Sequence, residues 1–368
     1  MKSTPPCTSL GSDLGVPLLP AGEVAGAQHG ARAKQESLAR IISVAAASVV
    51  IAMSAPATAQ SGRTSSETAA DRRPVVLVVP FAAKGPTDTV ARALAAALSE
   101  GLRLPVEVRN VAGAGGTAGA ASVARAEPDG MTLLLHHVGM ATAPALYRSL
   151  PFDPRLDFEP IGRVVDVPMT LVARPGFPVG PANAARHIRQ HQDALVVAYA
   201  GLGAASHLCG LLLSVSLQVD LIQVPYRGTG PALQDLQDSQ ADLMCDQTTN
   251  TGAAILAGRV RGIAVTTTRR LQALPFVPTA AEAGIRGLEL SIWHGLFAPR
   301  GTPQETVRRL ALALQEALGS PRFARPMSEM QAVVATRDQA TPAALGSLLE
   351  SEVARWSPII RKAGQYAD

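Results

Sequence analysis

Apolar positions along the chain gather into short blocks that alternate between two spacings. Residues 75–79 are five aliphatic side chains in succession, the run expected of a strand buried on both faces. They end at Pro80-Phe81-Ala82-Ala83-Lys84-Gly85-Pro86-Thr87-Asp88, where proline and glycine predict a loop. Val90, Leu94, Ala97 and Leu98 then recur at the spacing of one helix face. The unit repeats, with a strand predicted over 106–109, a Gly-rich loop over 113–119 and a helix to residue 126. A turn at Pro128-Asp129-Gly130 and a strand over 131–135 complete the set.

After Leu150 a proline-rich stretch leads back into β structure at 168–173. A second set of strand–loop–helix units follows, with strands predicted over 195–199, 221–224, 242–245 and 263–267. Its loops fall at 201–206 and 225–230, and its helices run from His207 and over 231–236. Residues 288–298 read as extended, and from Pro303 the chain is mostly helical to near Lys362. Two sets of βα units and a helical return predict two α/β domains. Right-handed crossovers put every strand-to-helix loop on one edge of its sheet. Two sheets facing each other with those edges enclose a cleft lined by helix N-termini.

A length of 368 residues supplies two cores, and low aromatic content (4%) with 32 Gly and 28 Pro suits βα segments joined by short turns. The net charge of +4 is spread along the chain, with no Lys/Arg run interleaved with aromatics, which argues against a nucleic-acid partner.

Near the N-terminus, Arg32, Lys34 and Arg40 precede an apolar run over 41–53 and then Ala57-Thr58-Ala59. A basic stretch, an apolar core and small residues at −3 and −1 predict a secretory signal cleaved after Ala59. The run is shorter than the roughly 20 residues of a spanning helix, and no cysteine follows it for lipid attachment. Residues 1–59 are therefore set aside as leader, and 60–73, small and polar, as a lead-in. Export leaves Cys209 and Cys245 of the three cysteines. An even pair in an oxidising compartment reads either as one disulfide or as two buried small hydrophobes.

Several motifs invite catalytic or cofactor readings and fall short. The loop from Gly113 to Gly119 lacks the Lys-Ser/Thr of a phosphate-binding P-loop, and Ala118 stands where the dinucleotide fingerprint needs its third glycine. It reads as a tight turn that starts a helix close to a sheet. Ser206-His207 has no nucleophile elbow around it, and Ser206 reads as a helix N-cap. His136 and His137 adjoin on a strand, where neighbours face opposite ways, so they do not chelate one metal ion together. What remains is three loops, 80–88, 136–141 and 201–206, each between a strand and a helix and rich in amides and hydroxyls. Helix-start amides and the helix dipole hold a carboxylate without an arginine.

These segments resemble the tripartite tricarboxylate transporter substrate-binding family, also called Bug receptors. The residues carrying the resemblance are VVPFAAKGPTDTVAR (78–92), VAGAGGTAGA (111–120), EPDGMTLLL (127–135), ALYRSLPFDPRLDF (145–158), GAASHLCG (203–210), VPYRGTGPAL (224–233), DLMCDQTTNT (242–251), PTAAEAG (278–284) and WHGLFAPRGTP (293–303). The resemblance implies a type II periplasmic binding protein, with two α/β lobes joined by two crossing strands near 171–174 and 291–295. The lobes it implies are 74–172 plus 294–368, and 173–293. It implies a ligand carboxylate held by the first loop (Phe81, Ala83, Lys84, Thr87, Asp88) and by the opposing Gly203, Ala204, Ala205 and Ser206. Strand-end position extends the site to His137, Met140, Ala141, Asp246 and Gln247.

Two departures stand out. The first loop of the family usually reads Gly-Gly where this chain has Lys84-Gly85, and HHVGMATAP replaces a hydroxyl-rich loop. The SHLCG and MCDQTTNT segments look like one branch of the family, which favours the disulfide between Cys209 and Cys245. The implied activity is non-enzymatic, without metal or cofactor. A monomer closes by a hinge around a small organic acid and delivers it to the membrane subunits of a tripartite tricarboxylate-type transporter. Two alternatives are a sensory receptor docking on a sensor protein, and an exported hydrolase, for which the sequence offers no base and nucleophile in register.

Overall fold

The computed structural model describes residues 73–364. The leader 1–59, its cleavage point after Ala59 and nearly all of the lead-in 60–73 lie outside the described residues.

The aliphatic run predicted as the first strand is β1 (Val75–Val79), followed by α1 (Pro86–Leu102), β2 (Val106–Asn110), α2 (Thr117–Ala124), β3 (Thr132–His137) and α3 (Gly139–Leu146). The chain then enters β4 (Phe158–Ala173), and the second set comprises α4 (Pro181–Gln190), β5 (Val196–Tyr199), α5 (Ala205–Leu217), β6 (Ile222–Pro225), α6 (Thr229–Gln237), β7 (Leu243–Gln247), α7 (Thr248–Leu256) and β8 (Arg261–Val265). It returns through β9 (Ser291–Pro299), α8 (Gln304–Gly319), α9 (Pro321–Glu329), β10 (Val333–Val334) and α10 (Pro342–Ala363).

Strands β1, β2 and β3 pair in parallel, as do β5, β6 and β7, each joined by a crossover helix. Between these sets lie the antiparallel β9 and β4, giving the order β2-β1-β3-β9-β4-β7-β5-β6, with β8 and β10 also on β4. Strand β4 serves both sets. As far as Pro168 it pairs with β9, and from Met169 with β7 and β8. The return crossing falls just before Ser291, where Leu290 still donates its amide to Thr266 O. This is the two-lobed α/β arrangement expected.

The first ten residues of β4 were hidden in the sequence by Pro160 and Pro168, which read as breakers. A register shift at Pro160/Gly162 lets Pro160 sit beside the ladder, a second shift follows at Arg163/Val165, and Pro168 stands at the last pair with β9, opposite Ser291, where β4 changes partners.

One apolar cluster packs Leu77, Leu94, Leu98, Leu133 and Leu135 against Leu296, Leu310, Leu314 and Phe323, tying α8 and α9 back to β1–β3. A second joins Val172, Ala198, Leu236, Met244 and Val265. Helix α10 packs on α3 and β4, burying Trp356 fully. Among the described residues no helix is long and apolar enough to cross a membrane.

Candidate functional site

The parallel strands all deliver their C-terminal ends to one place. The loops after β1, β2, β5 and β6, together with His137 at the end of β3 and Asp246 and Gln247 at the end of β7, line a cavity of about 650 Å³. Helices α1, α5, α6 and α7 each begin on this lining, and none has a side-chain cap on its first turn. The first N–H groups of a helix have no intrahelical acceptor. Their amides and the positive ends of their dipoles are therefore available at the cavity.

The first loop is braced from behind. Asp88, almost fully buried in the first turn of α1, accepts from the Lys84 amide (2.8 Å), from Arg92 Nε (2.9 Å) and from Asn110 Nδ2 (3.0 Å). Burial pushes its carboxyl upward, but Arg92, the Lys84 amide and Asn110 outweigh that and hold it below the usual value. The Lys84 amide is thereby spent inside the loop. Lys84 itself has φ 64°, the left-handed backbone that the family's usual glycine would adopt without strain.

Beneath this loop lies a stack of neutral rings. Phe81 stacks on His137 (4.5 Å between centroids, 16° between planes), and His137 meets His136 and His294 edge-on at 5.1 and 5.8 Å. Neighbours on a strand should diverge, but at the end of β3 both histidine rings turn under the loop. Each Nδ1 accepts a backbone amide, from His137 and Gly139 respectively. His294 Nδ1 donates to Ile292 O (3.2 Å), leaving Nε2 to accept from the Thr87 hydroxyl (3.2 Å). Burial depresses all three imidazoles, His136 to about 3, His294 to about 4 and His137 well below the usual 6.5, with neighbouring imidazoles adding to the effect at His136 and His137. They form an uncharged platform. Among the described residues no group of three or more His, Cys, Asp or Glu is placed to hold a metal ion.

The opposing wall comes from α5 and β7. Ser206 is not the N-cap of α5, a role that falls to Ala204. Ser206 Oγ instead accepts the Ala200 amide (2.9 Å), closing the loop between β5 and α5. Cys209 on α5 and Cys245 on β7 are disulfide-linked, with Cα atoms 5.9 Å apart, so the strand end carrying Asp246 is fastened to the helix whose start lines the cavity. Asp246 is fully buried, and burial pushes its carboxyl up to about 7, opposed by the Gln247 amide and Asn250. Its Oδ2 accepts from Asn250 Nδ2 (2.6 Å).

The two walls touch at Gly115 (φ 59°). A side chain there would strike Leu202 O and the Tyr147 hydroxyl, which itself donates to Leu202 O (3.3 Å). Only glycine lets the loop after β2 rest against the loop after β5. Gly119 has a different task, with Pro80 Cα and Cβ 2.7 and 2.6 Å from where its Cβ would stand. It seats α2 against the end of β1, as the tight-turn reading of this loop requires.

Of the residues singled out in the sequence, Phe81, Ala83, Lys84, Thr87, His137, Ala204, Ala205, Ser206, Asp246 and Gln247 line the cavity. Asp88, Met140, Ala141 and Gly203 stand behind the lining. Missed were Gly113–Gly116, weighed only as a nucleotide motif or a turn, and the segment from Tyr226 to Pro231. The signal for both was strand-end position, the same rule that located Asp246.

Residues 90–365 match the family described as tripartite tricarboxylate transporter family receptor. The UPF0065 protein of the TAR-I ttuE–ttuC′ intergenic region of Agrobacterium vitis is 44% identical over 293 residues, 79% of this chain and 85% of that one. Among solved structures, the periplasmic binding protein BugD is similar with a TM-score of 0.76 at 47% identity, covering 80% of this chain and 99% of that one. MatC from Rhodopseudomonas palustris with bound malate follows at 0.75 and 41%, covering 78% and 99%. With the lobes, crossing strands and converging helix starts in place, these matches settle its kinship: the chain belongs to the tripartite tricarboxylate transporter receptor family.

Proposed function

We propose that the chain is an exported, periplasmic solute receptor that holds a small organic acid by its carboxylate in this cavity, unaltered, and presents it to the membrane subunits of a tripartite tricarboxylate-type transporter. The observation that carries the reading is the convergence of four uncapped helix starts on one cavity. A carboxylate there gains charge-assisted amide bonds and favourable dipole fields. A volume of about 650 Å³ is of the size that takes a small ligand. The malate bound to MatC shows a relative of like fold holding such an acid.

The lobes of this reading are 74–172 with 294–368, and 173–293, closing on the ligand about β4 and the chain before β9. The partner exchange of β4 after Pro168 and the packing of α8–α10 on the first lobe support that division. Phe81, Ala83, Lys84, Thr87 and His137 belong to the first wall, and Ala204, Ala205, Ser206, Asp246 and Gln247 to the second, with Asp88, Met140, Ala141 and Gly203 as their support. A thermal-shift screen of purified protein against mono-, di- and tricarboxylates tests the reading. At least one acid raises the melting temperature in proportion to its concentration; a panel without a stabilising acid refutes it.

A further inference from the structure

The amides of the helix starts explain an anion, but the end of β7 presents the opposite chemistry. Asp246 is fully buried and lines the cavity, and among the described residues its Oδ1 has no hydrogen-bond partner. Gln247, next along the same wall and 3% exposed, likewise has its Oε1 unpartnered. No ion pair among the described residues includes Asp246, and its one side-chain donor, Asn250, is taken up by Oδ2. Two buried oxygens side by side on the lining, Asp246 Oδ1 and Gln247 Oε1, each without a partner, are costly unless something else supplies the hydrogens.

We infer that Asp246 and Gln247 form an acceptor wall that selects acids carrying a hydrogen-bond donor, a hydroxyl or an ammonium group, over plain carboxylates of the same length. The inference rests on the proposed function and names its ligand class. The carboxylate of such an acid sits on the helix starts, and its donor fills the two acceptors. Above about pH 7, where Asp246 is ionised, a plain dicarboxylate offers it a second negative charge or a methylene, and leaves the buried acceptors unpaired. Discrimination of this kind is strong because the analogue lacking the donor forfeits a bond that the site has already desolvated. The raised carboxyl of Asp246 is consistent with a site awaiting a donor or a positive charge.

Calorimetric titration at pH 8, where Asp246 is ionised, with matched triplets tests this: succinate, L-malate and L-aspartate, and the glutarate and propionate series with their 2-hydroxy and 2-amino forms. In the length that binds tightest, the hydroxy or amino acid binds about tenfold or more tighter than the plain acid. Asp246→Asn brings that ratio within about threefold, and Gln247→Met lowers it in the same direction. Malate ahead of aspartate identifies the hydroxyl as the group read, and the reverse identifies the ammonium. A plain acid binding as tightly as both derivatives, or a ratio untouched by either variant, overturns the acceptor wall and leaves the proposed function standing. Absence of binding by every acid overturns both. The ratio in the unaltered protein decides the matter if a variant does not fold.

Discussion

Asp246 makes the stability of the ligand-free protein depend on pH in a way that one substitution isolates. Burial moves its carboxyl from the ordinary 3.8 to about 7. The unfolded chain gives up this proton near pH 4 while the folded protein keeps it to near pH 7. Between those values the folded state binds more protons, so stability present below pH 4 is lost as pH rises. Each pH unit costs 1.36 kcal/mol at full slope, and about three units amount to about 4 kcal/mol. That is a ceiling, since water entering the cavity solvates Oδ1. Asp246→Asn keeps an oxygen for Asn250 and removes the titration. The buried His136, His137 and His294 act the other way. Their depressed values give stability that is lost as pH falls below 6.5, but both proteins share them and they cancel in the difference. Urea unfolding followed by the fluorescence of buried Trp293 and Trp356, at pH 5 to 8 on dialysed protein, gives that difference. The variant gains on the parent by at most about 3 kcal/mol over this span, which holds about two of the three units, mostly before pH 7. A difference that does not change with pH refutes a buried, unpaired carboxyl.

Three further outcomes follow from particular contacts. Gly115→Ala places a methyl on Leu202 O and the Tyr147 hydroxyl, holding the two walls apart. Affinity for the best acid in the screen falls about tenfold or more as the closed form is depopulated, and unchanged affinity contradicts closure through this contact. Replacing Cys209 and Cys245 together by Ala opens a link that spans 36 positions in sequence, and chain entropy sets the loss of stability at about 4 kcal/mol. Calorimetric unfolding within about 1 kcal/mol of the parent excludes a disulfide in the native protein. Lys84→Gly relieves a left-handed lysine worth about 1 kcal/mol and raises the melting temperature by about 2 °C, whereas Lys84→Ala, which keeps the strain, brings no gain.

Most of the α/β order was legible because buried parallel strands announce themselves. The runs at 75–79 and 195–199 are apolar blocks that end at Pro80 and close to Gly201, the pattern of a buried strand closing in a loop. Helix α1 was equally plain from Val90, Leu94 and Leu98. The start of β4 was not, since its two prolines are tolerated only because one adjoins a bulge and the other stands where the strand changes partners. Strand-end position found Asp246 and Gln247, and applied to 113–116 and 226–231 it would have found those loops too. Ser206 was misread because a serine at a predicted helix start suggests a cap, whereas its acceptor role toward Ala200 depends on a loop path that local sequence does not encode. The ring stack under the first loop joins Phe81, His137 and His294 from three distant segments, which no spacing rule connects.

The central claim, a carboxylate seated on converging helix starts, is tested most directly by a crystal structure of the protein with the acid that stabilises it most. The account predicts carboxylate oxygens within about 2.7–3.1 Å of first-turn amides of α1 and α5, with the acid chemically intact. An acid bound elsewhere on the molecule, or a cleaved product in the cavity, would contradict it.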